Sequence, residues 1–204
     1  LLVRNYGGAV STMAPKNMKD EVQLYRKIIA RYAAAFVSEN DTIFINTSSN
    51  ALQILEYVEC NNVTVITNNG KAIGREYCPG VNVVLTGGKL RHPKDAMVGD
   101  FTLRNLQHVY AKKAFVGCSG ISAELGMTTE IFNEVSGNEM MISHANQVVY
   151  VLADHTKIGS NSSFTSFPIE KIWYLITDEK AFDDALNAIR EKGIQVYQVH
   201  KSDF

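Results

Sequence analysis

The sequence has no excess of charge of either sign. Its 204 residues include 20 lysines and arginines against 21 aspartates and glutamates, which gives a formal net charge of −1. A protein that binds nucleic acid or an anionic membrane through its overall charge carries a basic excess. The composition therefore argues against both kinds of binding by this chain itself.

Paired cysteines are also missing. The three cysteines, Cys60, Cys78 and Cys118, lie far apart, and no CxxC or Cys/His spacing of the kind found in metal sites occurs. This usage predicts a reduced, cytoplasmic protein that has no disulfide, no metal site and no cofactor.

Long apolar runs are absent as well. No stretch approaches the roughly 18 residues of a membrane span, and the first segment, LLVRNYGGAV, lacks the apolar core of a signal peptide. That segment also lacks an initiator methionine, so we expect a fragment of a longer chain. Residues 1–16 are predicted to be an extended arm or linker, and residues 17–204 to be one domain.

Short apolar, β-branched runs alternate with segments of helical periodicity, and 46% of the residues are apolar. Strands are predicted at 42–45, 63–66, 81–85, 113–117, 148–153, 172–176 and 194–199. Helices are predicted at 17–37, after residue 50, and at 98–106, 131–144 and 181–191. This alternation is typical of a mostly parallel, doubly wound α/β sheet. In such sheets, ligands bind outside the carboxyl ends of the strands, where the strand order reverses.

The stretch DTIFINTSSNALQIL, residues 41–55, is the clearest candidate binding site. An apolar strand is followed by five small polar residues and then by apolar residues at helical spacing. The polar residues are Asn46, Thr47, Ser48, Ser49 and Asn50. Backbone N–H groups and the dipole at the start of a helix favour an anion, most often a phosphate. The alternative is an ordinary N-cap, which needs only one such residue.

Two further loops follow predicted strands. Gly87 and Gly88 would let a ligand or another backbone approach closely, and Lys89 adds a cation; the alternative is a plain strand-to-loop turn. Asp154 and Lys157 could hold a polyol and its phosphate, or serve an isomerase as base and electrophile. The alternative there is a capping aspartate beside a surface lysine.

Several other residues are assigned structural roles. Thr129 is expected to cap the helix that follows it, with a hydroxyl facing a pocket as the less favoured alternative. Glu134, one turn into that helix, is expected to be solvated. Phe115, Phe164 and Trp173 are expected to lie in the core.

Nine segments together resemble the C-terminal sensor domain of DeoR-type bacterial transcription regulators. They occur in the family's order and at compatible spacing, and they extend over nearly the whole chain. They are RNYGGAV (4–10), DTIFINTSSNA (41–51), VTVITNN (63–69), VVLTGGKLR (83–91), MVGD (97–100), KAFVGCSGI (113–121), GMTT (126–129), VLADHTKIG (151–159) and YLITD (174–178).

The resemblance implies a fold related to ribose-5-phosphate isomerase and glucosamine-6-phosphate deaminase. It implies a regulator, usually a repressor, that is not an enzyme, that forms a dimer or tetramer and that responds to a phosphorylated sugar or related metabolite. Operator DNA would be bound by an N-terminal winged helix-turn-helix module, which would precede the arm and is missing here.

The same resemblance assigns ligand-binding positions in this sequence. The loop from Asn46 to Asn50 would hold the phosphate, and Asp154 and Lys157 would hold the sugar end. The other ligand-binding positions are Asn68 and Asn69 beside the phosphate loop, Gly87 and Gly88 under the ligand, and Lys89, Cys118 and Ser119.

The sequence also departs from the family pattern. Asn46 and Ser48 stand where the family's loop commonly has Asp and Gly, and Ser119 and Ser122 stand where two carboxylates are usual. A less acidic pocket leaves the identity of the effector open, and it weakens any catalytic function, because proton transfer needs a positioned base. The alternatives are a sugar-phosphate isomerase or deaminase on the same fold, and an oligomerisation domain with a vestigial pocket.

Overall fold

The computed structural model describes residues 2–5, 8–11 and 16–203. In chain order the strands are β1 (Leu2–Asn5), β2 (Gly8–Ser11), β3 (Thr42–Ile45), β4 (Val63–Thr67), β5 (Val81–Leu85), β6 (Lys89–Arg91), β7 (Ala96–Val98), β8 (Ala111–Gly117), β9 (Gly120–Ser122), β10 (Gly126–Thr129), β11 (Ala145–Leu152), β12 (Phe164–Phe167), β13 (Tyr174–Asp178) and β14 (Gln195–Val199). The helices are α1 (Lys16–Ala34), α2 (Ser49–Leu52), α3 (Asp100–Gln107), α4 (Val135–Ser143) and α5 (Asp183–Glu191).

The centre of the fold is a seven-stranded sheet in the order β14-β13-β11-β8-β3-β4-β5. Every neighbouring pair in it is parallel. These are the seven strands that the apolar runs predict, and the mostly parallel sheet confirms the predicted fold class. The bounds shift by a few residues. For example, β13 begins at Tyr174 because residues 169–171 form a 3₁₀ turn that ends at Ile172.

The strand order reverses between β3 and β8. From β3 the chain adds β4 and then β5 on one side, whereas β8, β11, β13 and β14 extend the sheet on the other side. The carboxyl ends of β3 and β8 therefore mark the switch point of a doubly wound sheet, which is where such folds bind ligands.

Alternating side chains of the sheet enter two separate cores, as expected for strands covered on both faces. Ile43 and Ile45 face a core with Tyr25 and Ile29 of α1. Phe44 faces the other core, which contains side chains of α3, α4 and α5. The helices thus cover both faces of the sheet and leave its carboxyl edge open.

The helix predicted after residue 50 is much shorter than its apolar spacing indicates. α2 has only four residues and continues as a 3₁₀ turn over Gln53–Glu56. The helix predicted at 131–144 is likewise divided, into a 3₁₀ turn over Phe132–Glu134 and then α4. α3 begins at Asp100 rather than at residue 98, because Gly99 has a φ of 92° that a helix cannot include.

Antiparallel pairing supplies the parts of the fold that the sequence does not reveal. β6 and β7 form a hairpin, and β12, β10 and β9 form a small sheet. Strands of three or four residues are too short to show a clear alternation of apolar side chains. In the predicted arm, β1 and β2 pair as an antiparallel ladder, and the rest of residues 1–15 lies outside the described residues.

The assignment of three aromatic residues to the core is wrong for two of them. Phe115 is fully buried, but Phe164 is 37% exposed and Trp173 is 57% exposed. Phe164 contacts Phe132 edge to face, with ring centroids 5.4 Å apart. No helix among the described residues is long and apolar enough to cross a lipid bilayer.

Candidate ligand-binding site

A cavity of about 270 Å³ opens at the carboxyl ends of β3, β8 and β11. It lies at the switch point of the central sheet, as the fold class predicts. Its walls are formed by the loops after these three strands, by the segment from Thr129 to α4, and by single residues of α1 and of the turn between β6 and β7. Eight of the ligand-binding positions predicted from the sequence line it: Thr47, Ser48, Ser49, Asn50, Cys118, Ser119, Asp154 and Lys157.

The loop after β3 supplies hydroxyl and amide groups to the cavity. Ser48 is the N-cap of α2, and its Oγ accepts hydrogen bonds from the backbone N–H groups of Asn50 (3.2 Å) and Ala51 (3.5 Å). The ordinary capping role thus applies to Ser48. Thr47 and Ser49 line the cavity without acting as caps.

Asn46, the first residue of that loop, holds the loop in place from behind the cavity wall. Its buried amide group joins β3 to β8, donating to Gly117 O (2.8 Å) and accepting from Gly117 N (3.0 Å). It also donates to Asn138 Oδ1 (3.0 Å) and accepts from Ser48 N (3.2 Å). All the hydrogen-bonding capacity of an amide is used, so Asn46 positions the loop rather than lining the cavity.

The end of β8 packs tightly against the same loop. A Cβ added to Gly117 would lie 2.0 Å from Ser48 Oγ, so only glycine fits there. The next residue, Cys118, is held as a neutral thiol. Burial raises its pKa to about 12, although the charge of Lys157 acts in the opposite direction.

The end of β11 places an ion pair in the cavity wall. Asp154 Oδ2 lies 2.8 Å from Nε of Arg26, which extends from α1. Asp154 also accepts hydrogen bonds from the backbone N–H and the hydroxyl of Thr156. Burial raises the pKa of Asp154, but the hydrogen bond from the Thr156 hydroxyl and the charge of Arg26 outweigh it, so the pKa lies below its ordinary value. Asp154 is therefore a carboxylate at neutral pH.

Within the described part of the chain, two buried side chains in the cavity wall have polar atoms without a hydrogen-bond partner. They are Glu134 and Asn50, each 5% exposed. Glu134 Oε2 accepts from the Thr129 hydroxyl at 3.2 Å, but Oε1 has no partner. Neither the Oδ1 nor the Nδ2 atom of Asn50 has one. The expectation that Glu134 is solvated is thus wrong, because the 3₁₀ turn before α4 directs it inward.

Thr129 combines the two roles considered for it. Its hydroxyl oxygen accepts from Ile131 N at 3.2 Å, as a cap does, while the hydroxyl donates to Glu134. It also lines the cavity.

Six predicted positions do not line the cavity. One is Asn46, described above; the others are Asn68, Asn69, Gly87, Gly88 and Lys89. Asn68 donates to Met97 O at 3.3 Å, and the Asn69 side chain caps a 3₁₀ turn by accepting from Lys71 N. The glycines form a tight turn against α3: Gly88 has a φ of 112°, and a Cβ there would lie 2.2 Å from Thr102 Oγ1. Lys89 is exposed on β6.

Besides Thr129 and Glu134, four polar residues that were not predicted from the sequence line the cavity: Arg26, Lys94, Glu130 and Asn138. Lys94 lies in the turn between β6 and β7, so this turn contributes a different cation from the predicted Lys89. The amide of Asn138 within the apolar segment of α4 is the one sequence signal that could have been used. The described residues contain no group of three or more His, Cys, Asp or Glu side chains that could hold a metal ion.

Comparison with protein families gives a match over most of the chain. The model of the DeoR C terminal sensor domain matches residues 23–179. That range contains every cavity residue named above.

Curated relatives of the chain are transcription regulators. The HTH-type transcriptional repressor GlcR of Bacillus subtilis is 29% identical over 189 residues, which cover 91% of this chain and 69% of that protein. The putative aga operon transcriptional repressor of Escherichia coli is 23% identical, with 98% of this chain and 77% of that protein covered. The lactose phosphotransferase system repressor of Staphylococcus aureus is 29% identical, with 82% and 69% covered.

Solved structures with a similar fold have little sequence identity to the chain. eIF2B beta from Chaetomium thermophilum gives a TM-score of 0.51 at 12% identity, with 78% of this chain and 50% of that chain covered. Ribose 5-phosphate isomerase from Plasmodium falciparum gives 0.46 at 16% identity, with 66% and 52% covered. The chain thus spans about half the length of these structures, and the likeness to eIF2B beta shows the fold alone.

Proposed function

The chain belongs to the family of DeoR C-terminal sensor domains, and from that premise we propose that it is the ligand-sensing domain of a sugar-responsive repressor. Its effector is a phosphorylated sugar or related metabolite, bound in the cavity at the switch point. Operator DNA is bound through a separate N-terminal module, in a homo-oligomer located in the cytoplasm.

The observation that carries the proposal is a cavity lined by hydroxyl groups and by cationic groups that form no ion pair within the described part of the chain. The ammonium groups of Lys94 and Lys157 line it, and neither has an ion-pair partner among the described residues. The hydroxyls of Thr47 and Ser49 line the same space. Cations and hydroxyl donors together suit a phosphate, which offers several acceptor oxygens. The proposal thus assigns Lys157 to the phosphate and Asn50 to the sugar, whereas the family resemblance implies the reverse for both.

The sugar part of the proposal draws on the relatives and on the polarity of the cavity. One relative is by name the repressor of a lactose phosphotransferase system, which connects a protein of this family to sugar uptake. Asp154, Ser119, Asn50 and Glu134 place carboxylate, hydroxyl and amide groups around the cavity. A polyol has donors and acceptors for all of them.

Catalysis is not part of the proposal. An isomerase or deaminase needs a carboxylate that can take up a proton. Asp154 is bound to Arg26 and Thr156, which hold its pKa below the ordinary value and make it a weak base. Turnover of ribose 5-phosphate or an amino-sugar phosphate that is lost in Asp154→Asn would contradict this part of the proposal.

Arg26 offers a route from the ligand to the DNA-binding module. It lies on α1, which follows the N-terminal segment of this chain, and its guanidinium reaches the cavity through Asp154. A ligand that binds Asp154 or Arg26 changes this contact and thereby the position of α1. Coupling between two sites of this kind typically amounts to about 1–3 kcal/mol.

The test is a thermal-shift screen of sugar phosphates, each beside its unphosphorylated parent. A ligand at about 100 times its Kd stabilises the folded state by roughly 2.7 kcal/mol, which shifts the melting temperature measurably. We expect a response to a phosphorylated sugar only, which is lost in Lys157→Ala. Lys89→Ala is the matched control, because it removes an exposed cation outside the cavity. A flat response across the panel would refute the proposed effector class.

A further inference from the structure

We propose that Glu134 selects the ligand by accepting a hydrogen bond from a hydroxyl or amino group, so that the cavity requires a donor there and excludes an anionic group. This inference rests on the proposed function, since it concerns the same cavity. It assigns Glu134, which the sequence analysis did not include in the site, to the specificity of binding.

The carboxylate is held in a defined position and is incompletely paired. The Thr129 hydroxyl binds Oε2, and Thr129 is itself fixed by its hydrogen bond from Ile131 N. The other oxygen, Oε1, is buried without a partner among the described residues, and the Glu134 side chain lines the cavity. A buried acceptor that lacks a partner costs free energy, and a ligand that supplies a donor recovers it.

The chemistry of a carboxylate excludes the phosphate end of the ligand from this part of the cavity. A carboxylate has no donor and repels a second anion, whereas Lys94 and Lys157 attract one. Neither lysine forms an ion pair with Glu134. The phosphate is thus directed to the cationic residues, and the sugar end is directed to Glu134.

Asn50 independently indicates that the cavity binds the hydroxyl groups of a sugar. Its amide is buried in the cavity wall with both polar atoms unpaired. An amide accepts from and donates to a hydroxyl group equally well, which a polyol satisfies. Five other described residues also have an unpaired buried side-chain atom, but Glu134 and Asn50 are the two of this group that line the cavity.

The experiment compares Glu134→Gln with Glu139→Gln by isothermal titration calorimetry. Both changes remove one negative charge, but Glu139 is exposed on α4 and does not line the cavity. The probes are inorganic phosphate and the 6-phosphates of glucose, galactose, fructose and glucosamine, together with ribose 5-phosphate. We expect Glu134→Gln to weaken the best sugar phosphate about tenfold, because a hydrogen bond to a charged group is replaced by one to a neutral group. Glu139→Gln is expected to change it by less than about twofold.

Inorganic phosphate separates the two ends of the ligand. Its affinity is expected to be unchanged or higher in Glu134→Gln, because it has no sugar and because the substitution removes the repulsion from a carboxylate. If Glu134→Gln weakens phosphate as much as it weakens the best sugar phosphate, or binds every sugar phosphate as wild type does while Lys157→Ala abolishes binding, this inference is wrong and the proposed function stands. If no sugar phosphate binds wild type, both are wrong.

Two further measurements complete the test. Deoxy and amino analogues of the best sugar phosphate identify the group that donates to Glu134. If Glu134→Gln no longer weakens binding of a deoxy analogue, the donor is the missing hydroxyl group. If Glu134→Gln weakens binding of the amino sugar alone, the donor is an ammonium group. Should Glu134→Gln fail to fold, Glu134→Asp keeps the charge and shortens the side chain. It is expected to weaken the sugar phosphate several-fold and to leave phosphate unchanged, and equal affinity for the sugar phosphate would contradict the inference.

Discussion

Asn46 and Asn50 provide a stringent test of how the candidate site is built. They are buried asparagines four residues apart, Asn46 directly after β3 and Asn50 in α2. The Asn46 side chain makes four hydrogen bonds, whereas that of Asn50 makes none with the described residues. Replacing each by alanine removes the same atoms. The two substitutions should therefore differ strongly in their effect on the stability of the domain.

Asn46→Ala is expected to destabilise the domain severely. It leaves Gly117 N–H, Gly117 C=O, Ser48 N–H and Asn138 Oδ1 without their partner. Four hydrogen bonds at about 0.5–1.5 kcal/mol each amount to a loss of about 2–6 kcal/mol. Because domains have only about 5–15 kcal/mol of stability, much of the total would be lost.

Asn50→Ala is expected to change the free energy of unfolding by less than about 1 kcal/mol. The loss of packing is offset by the removal of two unsatisfied buried groups. Urea unfolding followed by circular dichroism measures both values, with equal m-values as the check that the unfolded states are comparable. A loss below about 1 kcal/mol for Asn46→Ala, or an equal loss in both variants, would refute this account of the loop.

Three further predictions concern a turn, a carboxylate and a thiol. Gly88→Ala should lower the free energy of unfolding by more than about 2 kcal/mol, because residue 88 has a positive φ and its added Cβ would lie 2.2 Å from a side-chain oxygen. Gly87→Ala has more space and should lower it by about 1 kcal/mol. Equal losses in urea unfolding would contradict this difference. Asp154→Asn should cost about 1–3 kcal/mol at pH 7. The pKa of Asp154 is lowered in the folded state, so its ionised form stabilises the fold above the unfolded pKa of about 3.9. This stabilisation is lost as the pH falls through the lower folded pKa, so the difference in unfolding free energy between variant and wild type should shrink in acid. A difference that does not depend on pH would refute the assignment of Asp154 as a carboxylate. Cys118 should react with iodoacetamide at pH 7 at least tenfold more slowly than a free cysteine in a short peptide, because desolvation raises the pKa of the Cys118 thiol to about 12. Labelling at the rate of the peptide, measured by mass spectrometry, would be inconsistent with a neutral thiol.

The sequence was sufficient to predict the central sheet because each of its strands is a continuous apolar run. A strand buried on both faces has little choice of composition, so the runs at 42–45 or 113–117 could be recognised one by one. The position of the cavity followed from the fold class, and Thr47, Asp154 and Lys157 were predicted to be ligand-binding positions because they follow predicted strands.

The residues that the sequence analysis did not select reach the cavity through tertiary contacts. Arg26 lies on α1, which begins 26 residues before β3. Lys94 lies in the turn between β6 and β7, and these strands are too short to show an alternation of apolar side chains. The burial of Glu134 depends on a 3₁₀ turn that replaces the first turn of a predicted α-helix. The absence of a partner for Glu134 Oε1 can be recognised only when all neighbouring atoms are placed.

The reversal of strand order between β3 and β8 has a consequence for how the domain loses its structure. Each half of the sheet is contiguous in sequence, since β3 to β5 span residues 42–85 and β8 to β14 span residues 111–199. The cavity takes the loop after β3 from one half and the loops after β8 and β11 from the other. A half-folded intermediate therefore lacks the complete cavity, and the proposed effector would protect both halves together. Occupancy of this cavity would lower the rate at which proteases degrade the domain, which links the amount of the regulator in the cell to the supply of its effector.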